Sequence, residues 1–292
     1  MKPPVFDYHR AQNLEHACEL LSACAEDSKI LAGGQTLIPM MNFRLARPKV
    51  LIDISSIAER NQVSEEAGGI RVGATTVQRF VERAASVQAR LPLLHFAIQH
   101  IAHLQIRNKG TVGGNIANAD PASELPAMCL ALDAQFEIKS QKGQRRIAPE
   151  EFFVTYMTSS LAPDEILSSI LFSEPPKGSG WGFHEVARRC GDYALAGSSA
   201  VITLDGAGQC TRARIALFGV AATPVRAMEA EQMLLGQVYS ADLLKEAAQK
   251  VQRVVDPESD VHVTADYRRS VAQVLTVRAL DDAFKRANAA VG

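Results

Sequence analysis

Two glycine pairs constrain this chain more than any other feature. The first lies in Ala32-Gly33-Gly34-Gln35-Thr36, directly after the short apolar run that begins Lys29-Ile30-Leu31; the second lies in Thr111-Val112-Gly113-Gly114-Asn115. Glycine permits positive φ and close approach of the backbone, so successive N–H groups can turn toward an anion while a neighbouring hydroxyl adds a further donor. A single Gly-Gly after a strand is more often a plain turn. Two of them, both flanked by hydroxyl and amide side chains, suggest a diphosphate gripped from both sides. Neither has the Gly-x-Gly-x-x-Gly spacing, so a dinucleotide held on one helix N-terminus is not expected. No Gly-Lys-Ser/Thr loop is present either, which argues against an NTPase.

The hydrophobic pattern around these pairs alternates between sheet and helix. Leu14, Ala17, Cys18 and Leu21 recur at helical spacing, and Lys29 to Ala32 reads as a strand leading into the first glycine loop. Val50-Leu51-Ile52-Asp53-Ile54 is a second buried strand, and Gly68-Gly69 separates two arms of a hairpin. Residues 76–90 and 91–104 carry amphipathic helical patterns, with Pro92 tolerated in a first turn. A long polar loop is expected from Arg107 to Asp120, and loops of that length are often functional. Asp120-Pro121 then reads as an N-cap and first helical residue of a helix through Leu130. Strands are expected at Gln135 to Lys139 and Ile166 to Phe172, with a turn at Gln141 to Gln144 between them.

Proline and glycine concentrate in Ser173 to Gly180, the natural division between residues 1–175, with subdomains of about 1–55 and 56–175, and residues 178–292. Beyond it, strands at 182–189, 197–205 and 212–221 precede helical stretches beginning near Pro224, Ala241 and Asp266. The class is α+β, the second part being a small antiparallel sheet backed by helices.

Composition closes off other classes. Lys plus Arg number 31 against 32 acidic residues, so charge gives no reason to expect nucleic acid as a partner. No stretch approaches the ~18 apolar residues of a membrane span, and the N-terminal residues lack the apolar core of an export signal, so no membrane insertion and a cytoplasmic location are expected. The five cysteines are scattered without a Cys-x-x-Cys pair, which favours buried thiols and makes an iron-sulfur cluster in this chain hard to build. His95, His100 and His103 lack a carboxylate or cysteine at ligand spacing, so no metal is assigned. Arg107 and Lys109 read either as phosphate-neutralising or as solvated loop residues.

The chain resembles the medium, FAD-binding subunits of the xanthine dehydrogenase and carbon monoxide dehydrogenase group of molybdenum hydroxylases. The resemblance rests on both glycine loops, Phe6-x-Tyr8, the run Pro48 to Ile54, the run Ile106 to Gly110, the segment Asp120 to Glu124 and the segment Ala187 to Ala194. It implies a two-subdomain FAD-binding domain of the vanillyl-alcohol-oxidase (PCMH) type followed by a C-terminal α+β domain. Carried over residue by residue, it places Ala32, Gly33, Gly34, Gln35 and Thr36 on the FAD pyrophosphate and adjoining groups, with Lys29, Ile30 and Leu31 before them and Leu37 after. Thr111, Val112, Gly113, Gly114 and Asn115 would close from the other side. Ile101 and Ala102 would pack on the flavin, Glu124 would hydrogen-bond the cofactor, and Asp120 would join it. Leu167 would lie near the adenine, and Tyr193 beside the isoalloxazine ring. His184 or Glu185 falls where some relatives carry lysine, a departure from the pattern.

The resemblance also implies a function. It is an electron-transfer subunit taking electrons from 2Fe-2S clusters of a small subunit and passing them to oxygen, NAD or a quinone-type acceptor. A large molybdopterin subunit would complete a dimer of heterotrimers. No residue of this chain is then needed as nucleophile or general acid. A self-sufficient FAD-dependent oxidase or reductase and a non-enzymatic binding module are the alternatives.

Overall fold

The computed structural model describes residues 2–57 and 62–291, so Met1 and Gly292, the outer ends of the two expected domains, lie outside the described residues. The first layer is built from β1 (Asp7–Arg10), α1 (Leu14–Cys24), β2 (Ser28–Leu31), α2 (Leu37–Asn42) and β3 (Val50–Asp53). All three strands are parallel in the order β1-β3-β2. The central strand is the one with the continuous apolar run, and every residue of it is buried, as expected for a strand covered on both faces. Helix α1 packs through Leu14, Ala17, Cys18 and Leu21. The strand expected at Lys29 to Ala32 ends at Leu31, so Ala32 already belongs to the glycine loop. That loop therefore leaves the carboxyl end of a parallel strand, the end at which open sheets of this kind present ligands.

The second layer contains β4 (Val63–Glu66), β5 (Gly69–Gly73), α3 (Gln78–Arg83), α4 (Ala85–Arg90), α5 (Pro92–His100), α6 (Leu104–Arg107), α7 (Val112–Asn118) and α8 (Glu124–Ala131). It continues with β6 (Gln135–Ser140), β7 (Gly143–Ile147), α9 (Pro149–Phe152), β8 (Phe153–Thr155), β9 (Thr158–Ser159) and β10 (Ile166–Ser173). An antiparallel sheet runs in the order β4-β5-β10-β6-β7, and its core includes the fully buried rings of Phe136, Phe152 and Phe172.

Three expectations change in this layer. The helices expected over 76–90 and 91–104 are interrupted, because Ala84 and Ile101 are extended and Ala102 takes φ +43°. The polar loop expected from Arg107 to Asp120 contains α7, whose N-cap is Thr111. Helix α8 begins at Glu124 with Ser123 at its N-cap, rather than at Asp120. Asp120 instead closes an Asx turn, its Oδ1 accepting from the Ala122 N–H at 3.0 Å.

The third layer is an antiparallel sheet of β11 (Ser179–Ala187), β12 (Ala194–Leu204), β13 (Cys210–Phe218) and β14 (Val225–Arg226), followed by α10 (Met228–Leu234), α11 (Ala241–Lys250) and α12 (Ala265–Val291). Strand β13 stops at Phe218 because Gly219 turns to φ +71°, and the helix expected near Pro224 starts at Met228 after the short β14. Helix α12 covers one face with Ala272, Leu275, Ala279, Ala283 and Phe284. The other face carries Phe183, Val201, Ala216 and Phe218 into the same apolar cluster as α5 and α8. That shared core fixes the loop between β11 and β12 over the glycine loops of the first two layers.

Candidate cofactor-binding site

The two glycine loops touch. A Cβ added at Gly33 would lie 2.8 Å from Gly110 Cα and 2.9 Å from Thr111 N, and one added at Gly114 would lie 3.4 Å from Ala32 Cβ. Glycine is required at Gly33 by this approach rather than by its φ, whereas Gly34 is held at φ +71°. The Gln35 amide donates to the Gly33 carbonyl at 3.0 Å and tightens the turn.

The loops differ in what their backbones offer. In the second, the amides of Val112 to Asn115 are already used. Val112 N–H donates to Thr76 O and Gly113 N–H to Ala74 O, both at 2.9 Å, while Asn115 N–H donates to Thr111 O at 3.1 Å. The Gly114 N–H is taken by Thr111 Oγ1 at 3.0 Å, the N-cap bond of α7. In the first loop, among the described residues, the N–H groups of Gly33, Gly34, Gln35 and Thr36 donate to no protein acceptor. A half-buried run of unclaimed donors around a positive-φ glycine is the arrangement that binds an anionic group. The second loop is thus a buttress that adds side chains: Asn115 Oδ1 accepts from Ser123 Oγ at 2.8 Å, which joins α7 to the start of α8.

The third layer contributes Tyr193. Its hydroxyl lies close enough to the Asp120 carboxylate and the Thr36 hydroxyl for each to act on it, which brings the third layer to the first glycine loop and to the turn before α8. The residue as a whole is 57% exposed, while its hydroxyl is subject to burial. Burial, followed by the Asp120 and Glu124 charges, pushes the phenol up to about 12. Asp120 is itself raised by burial. Glu124, only 4% exposed, is pushed up to about 8 by burial with the Glu185 charge adding to it. Burial alone carries Glu185 up to about 7, and its Oε2 has no hydrogen-bond partner among the described residues.

His184 and Glu185 now separate. Alternation along β11 sends them to opposite faces. The His184 imidazole lies 3.1 Å from Asp282 on α12, away from the loops, and Glu185, on the other face, is near enough for its charge to act on Glu124. Of the two readings for Arg107, the structure supports neither. The side chain is buried, donating from Nε to Glu82 at 3.0 Å and from a terminal nitrogen to the Ile101 carbonyl at 2.8 Å and the Ala102 carbonyl at 3.3 Å. It clamps the bend at Ile101 and Ala102, a φ of +43° that an alanine adopts only when its surroundings hold it. Lys109 is exposed. The β11–β12 loop rests on the same bend, for a Cβ at Gly191 would lie 2.6 Å from His103 Cε1 and 2.9 Å from the Ala102 carbonyl oxygen.

The remaining positions are less central. Leu167 is buried at the start of β10, beside a bulge through which Ser168 O accepts from Ala74 N–H, the residue whose carbonyl receives Gly113. Ile30 packs into the apolar cluster under the first layer, Leu31 and Leu37 are half-buried, and Lys29 points to the exposed side of β2. Sequence reasoning passed over Ala74 and Thr76, whose carbonyls anchor the second loop; small residues after a strand carry no signal for that role.

Comparison with known proteins decides the family. Residues 4–174 match the family described as the FAD binding domain in molybdopterin dehydrogenase. The chain belongs to it. Residues 181–283 match the CO dehydrogenase flavoprotein C-terminal domain. The chain is 40% identical over 287 residues to the 6-hydroxypseudooxynicotine dehydrogenase complex subunit alpha of Paenarthrobacter nicotinovorans, covering 98% of this chain and 97% of the relative. It is 37% identical to the carbon monoxide dehydrogenase medium chain of Hydrogenophaga pseudoflava, covering 98% and 99%. A solved structure of carbon monoxide dehydrogenase from that organism superposes with a TM-score of 0.95 at 37% identity, covering 98% of this chain and 99% of the other. Quinoline 2-oxidoreductase from Pseudomonas putida 86 superposes with a TM-score of 0.93 at 33% identity over the whole of both chains. This FAD-binding medium subunit thus has an FAD-binding domain followed by a C-terminal flavoprotein domain, and it serves in an oxidoreductase of the molybdenum hydroxylase family.

Proposed function

We propose that this subunit relays electrons through FAD between a small iron-sulfur subunit carrying 2Fe-2S clusters and an external acceptor such as oxygen, NAD or a quinone. A large molybdopterin subunit would oxidise the substrate, within a dimer of heterotrimers in the cytoplasm. The observation that carries the reading is the run of unclaimed N–H groups at Gly33 to Thr36, set at the carboxyl end of β2 against the second glycine loop. A pyrophosphate is the part of FAD that such donors suit.

In this reading the first loop, with Lys29 to Leu31 and Leu37 beside it, binds the diphosphate, and Thr111 to Asn115 hold that loop in place and offer the Asn115 side chain. Ile101 and Ala102, clamped by Arg107, form an apolar support for the ring system, and Tyr193 covers it from the third layer. Glu124 and Asp120 line the polar end, and Leu167 closes the buried side. The division at 1–175 and 178–292 then separates the part that holds the cofactor from the part that lays Tyr193 over it. FAD supplies the redox chemistry, and these residues bind, orient and shield it.

The test is an absorption spectrum of the purified chain with the released cofactor identified and iron assayed, followed by co-purification with the iron-sulfur and molybdopterin chains. FAD without iron and a three-subunit complex support the proposal. Turnover of substrate by the isolated subunit would favour a self-sufficient oxidase. A colourless chain that takes up no added FAD would leave a binding module.

A further inference from the structure

Among the described residues, two carboxyls in the wall of the site, Glu124 and Glu185, form no ion pair. Glu124 is the first residue of α8, next to Ser123, which holds Asn115 of the second glycine loop, and its charge reaches the Tyr193 hydroxyl. Glu185 comes from β11, opposite Gly197 of β12, an uncharged neighbour. The groups that act on Glu124 are Glu185, Asp120 and Arg107, and Arg107 is already committed to Glu82 and two carbonyls. From α5, His100 is turned to the Phe96 carbonyl at 3.1 Å and to the Phe183 ring. His103 lies against Gly191, and His184 is on the far face with Asp282. The Glu185 Oε2 atom is buried without a donor among the described residues. An ionised carboxylate in that position would be an unpaired buried charge, which proteins avoid by protonation.

We propose that Glu124 and Glu185 work as a protonatable pair beside the bound FAD, taking up one proton from solvent when the cofactor gains negative charge on reduction. The electrons come from the reductant, the proton from water, and the pair gains one O–H bond on a carboxyl while the net charge added to the enclosed site falls by one. The inference rests on the FAD reading above. Burial already carries the two groups up to about 8 and about 7 in the protein without cofactor. A further negative charge beside them therefore moves proton binding through the neutral range.

The experiment measures the two-electron midpoint potential of the FAD-loaded chain from pH 6 to 10 by equilibration with redox dyes, for the natural sequence, Glu185→Gln and Glu124→Gln. Each proton taken up with two electrons changes the equilibrium tenfold per pH unit, about 30 mV. Above pH ~7 the natural chain should fall with pH more steeply than Glu185→Gln by up to that amount. Infrared titration of the cofactor-free chain gives a second readout, in which the stretching band of a protonated buried carboxyl should persist at neutral pH and shrink in each variant. Parallel potential curves from flavin-loaded proteins would overturn the coupling alone, and absence of the carboxyl band at pH 6.5 would overturn the protonated pair. Failure to take up FAD would overturn the cofactor reading and the coupling with it, while the infrared band would still decide the protonation state. Should Glu124→Gln not fold, Glu185→Gln decides both measurements by itself.

Discussion

Replacing Gly33 by alanine tests the asymmetry between the two loops. The new Cβ would sit 2.8 Å from Gly110 Cα and 2.9 Å from Thr111 N, so backbone has to move. The second loop is poorly placed to yield: Gly110 O accepts from Gln78 N–H at 2.8 Å, and Val112 and Gly113 are tied to Thr76 and Ala74. The first loop, whose Gly33 to Thr36 amides hold nothing among the described residues, moves instead, and in the proposed reading it carries the donors away from the diphosphate. Overpacking of this kind costs about 1–3 kcal/mol. If most of it falls on the bound state, FAD affinity drops between roughly 5-fold and 150-fold. Gly34→Ala is the control, because its Cβ meets only the Ile38 and Leu31 side chains, at 3.3 Å, but at φ +71°. It should cost about 1–2 kcal/mol of backbone strain, visible as lower stability of the cofactor-free chain. The assay is fluorescence titration with FAD together with denaturation of the cofactor-free protein. Gly33→Ala binding FAD within twofold of the natural chain, or losing more stability than affinity, would refute the reasoning.

Thr111→Val removes the cap of α7, where Oγ1 accepts from Gly114 N–H at 3.0 Å, and should cost about 1 kcal/mol in urea denaturation, with Thr111→Ser restoring most of it. Arg107→Met leaves Glu82 with Arg79 alone and frees the Ile101 and Ala102 carbonyls, so a loss of about 3–5 kcal/mol is expected, measured the same way. The raised Glu124 carboxyl makes stability of the cofactor-free chain depend on pH. Its folded form binds a proton more tightly than the unfolded form, so the contribution is complete below pH 4.5 and is lost as pH rises toward about 8. The slope should approach ~1.4 kcal/mol per pH unit within that window and flatten in Glu124→Gln.

Much of the scaffold was legible because burial wrote it into hydrophobic period. The run Val50 to Ile54 could only be a covered strand, and the spacing of Leu14, Ala17, Cys18 and Leu21 marked α1. Elements without that imprint were missed. Strands β1 and β7 are edge strands, exposed at every residue of β1 and at all but Ile147 of β7, so no alternation betrays them. Helix α7 lies in a segment whose sequence reads as loop, because Gly113, Gly114, Asn115 and Asn118 are poor helix formers; the packing of Gly113 on Ala74 overrides propensity. Asp120-Pro121 carried the signal of a helix start, but the same aspartate closes an Asx turn equally well, and only the position of Ser123 separates the two.

The site was legible as a set of loops and not as a division of labour. Two similar Gly-Gly motifs suggested two similar grips, since sequence records which residues can expose an amide and not which amides are already taken. Hydrogen bonding decides that: the second loop uses its Val112 to Asn115 amides on Thr76, Ala74 and Thr111, and gains the rigidity to hold the first loop, whose Gly33 to Thr36 amides are unspent among the described residues. The same argument explains why Gly33 has to be glycine although its φ is ordinary, and why Arg107, a basic residue at the end of α6 shortly before the second glycine loop, is turned to protein partners instead. A guanidinium buried on Glu82 and two carbonyls fixes the bend at Ala102. In the proposed reading Arg107 is spent on that bend, and the backbone dipoles of Gly33 to Thr36 are the donors offered to the diphosphate.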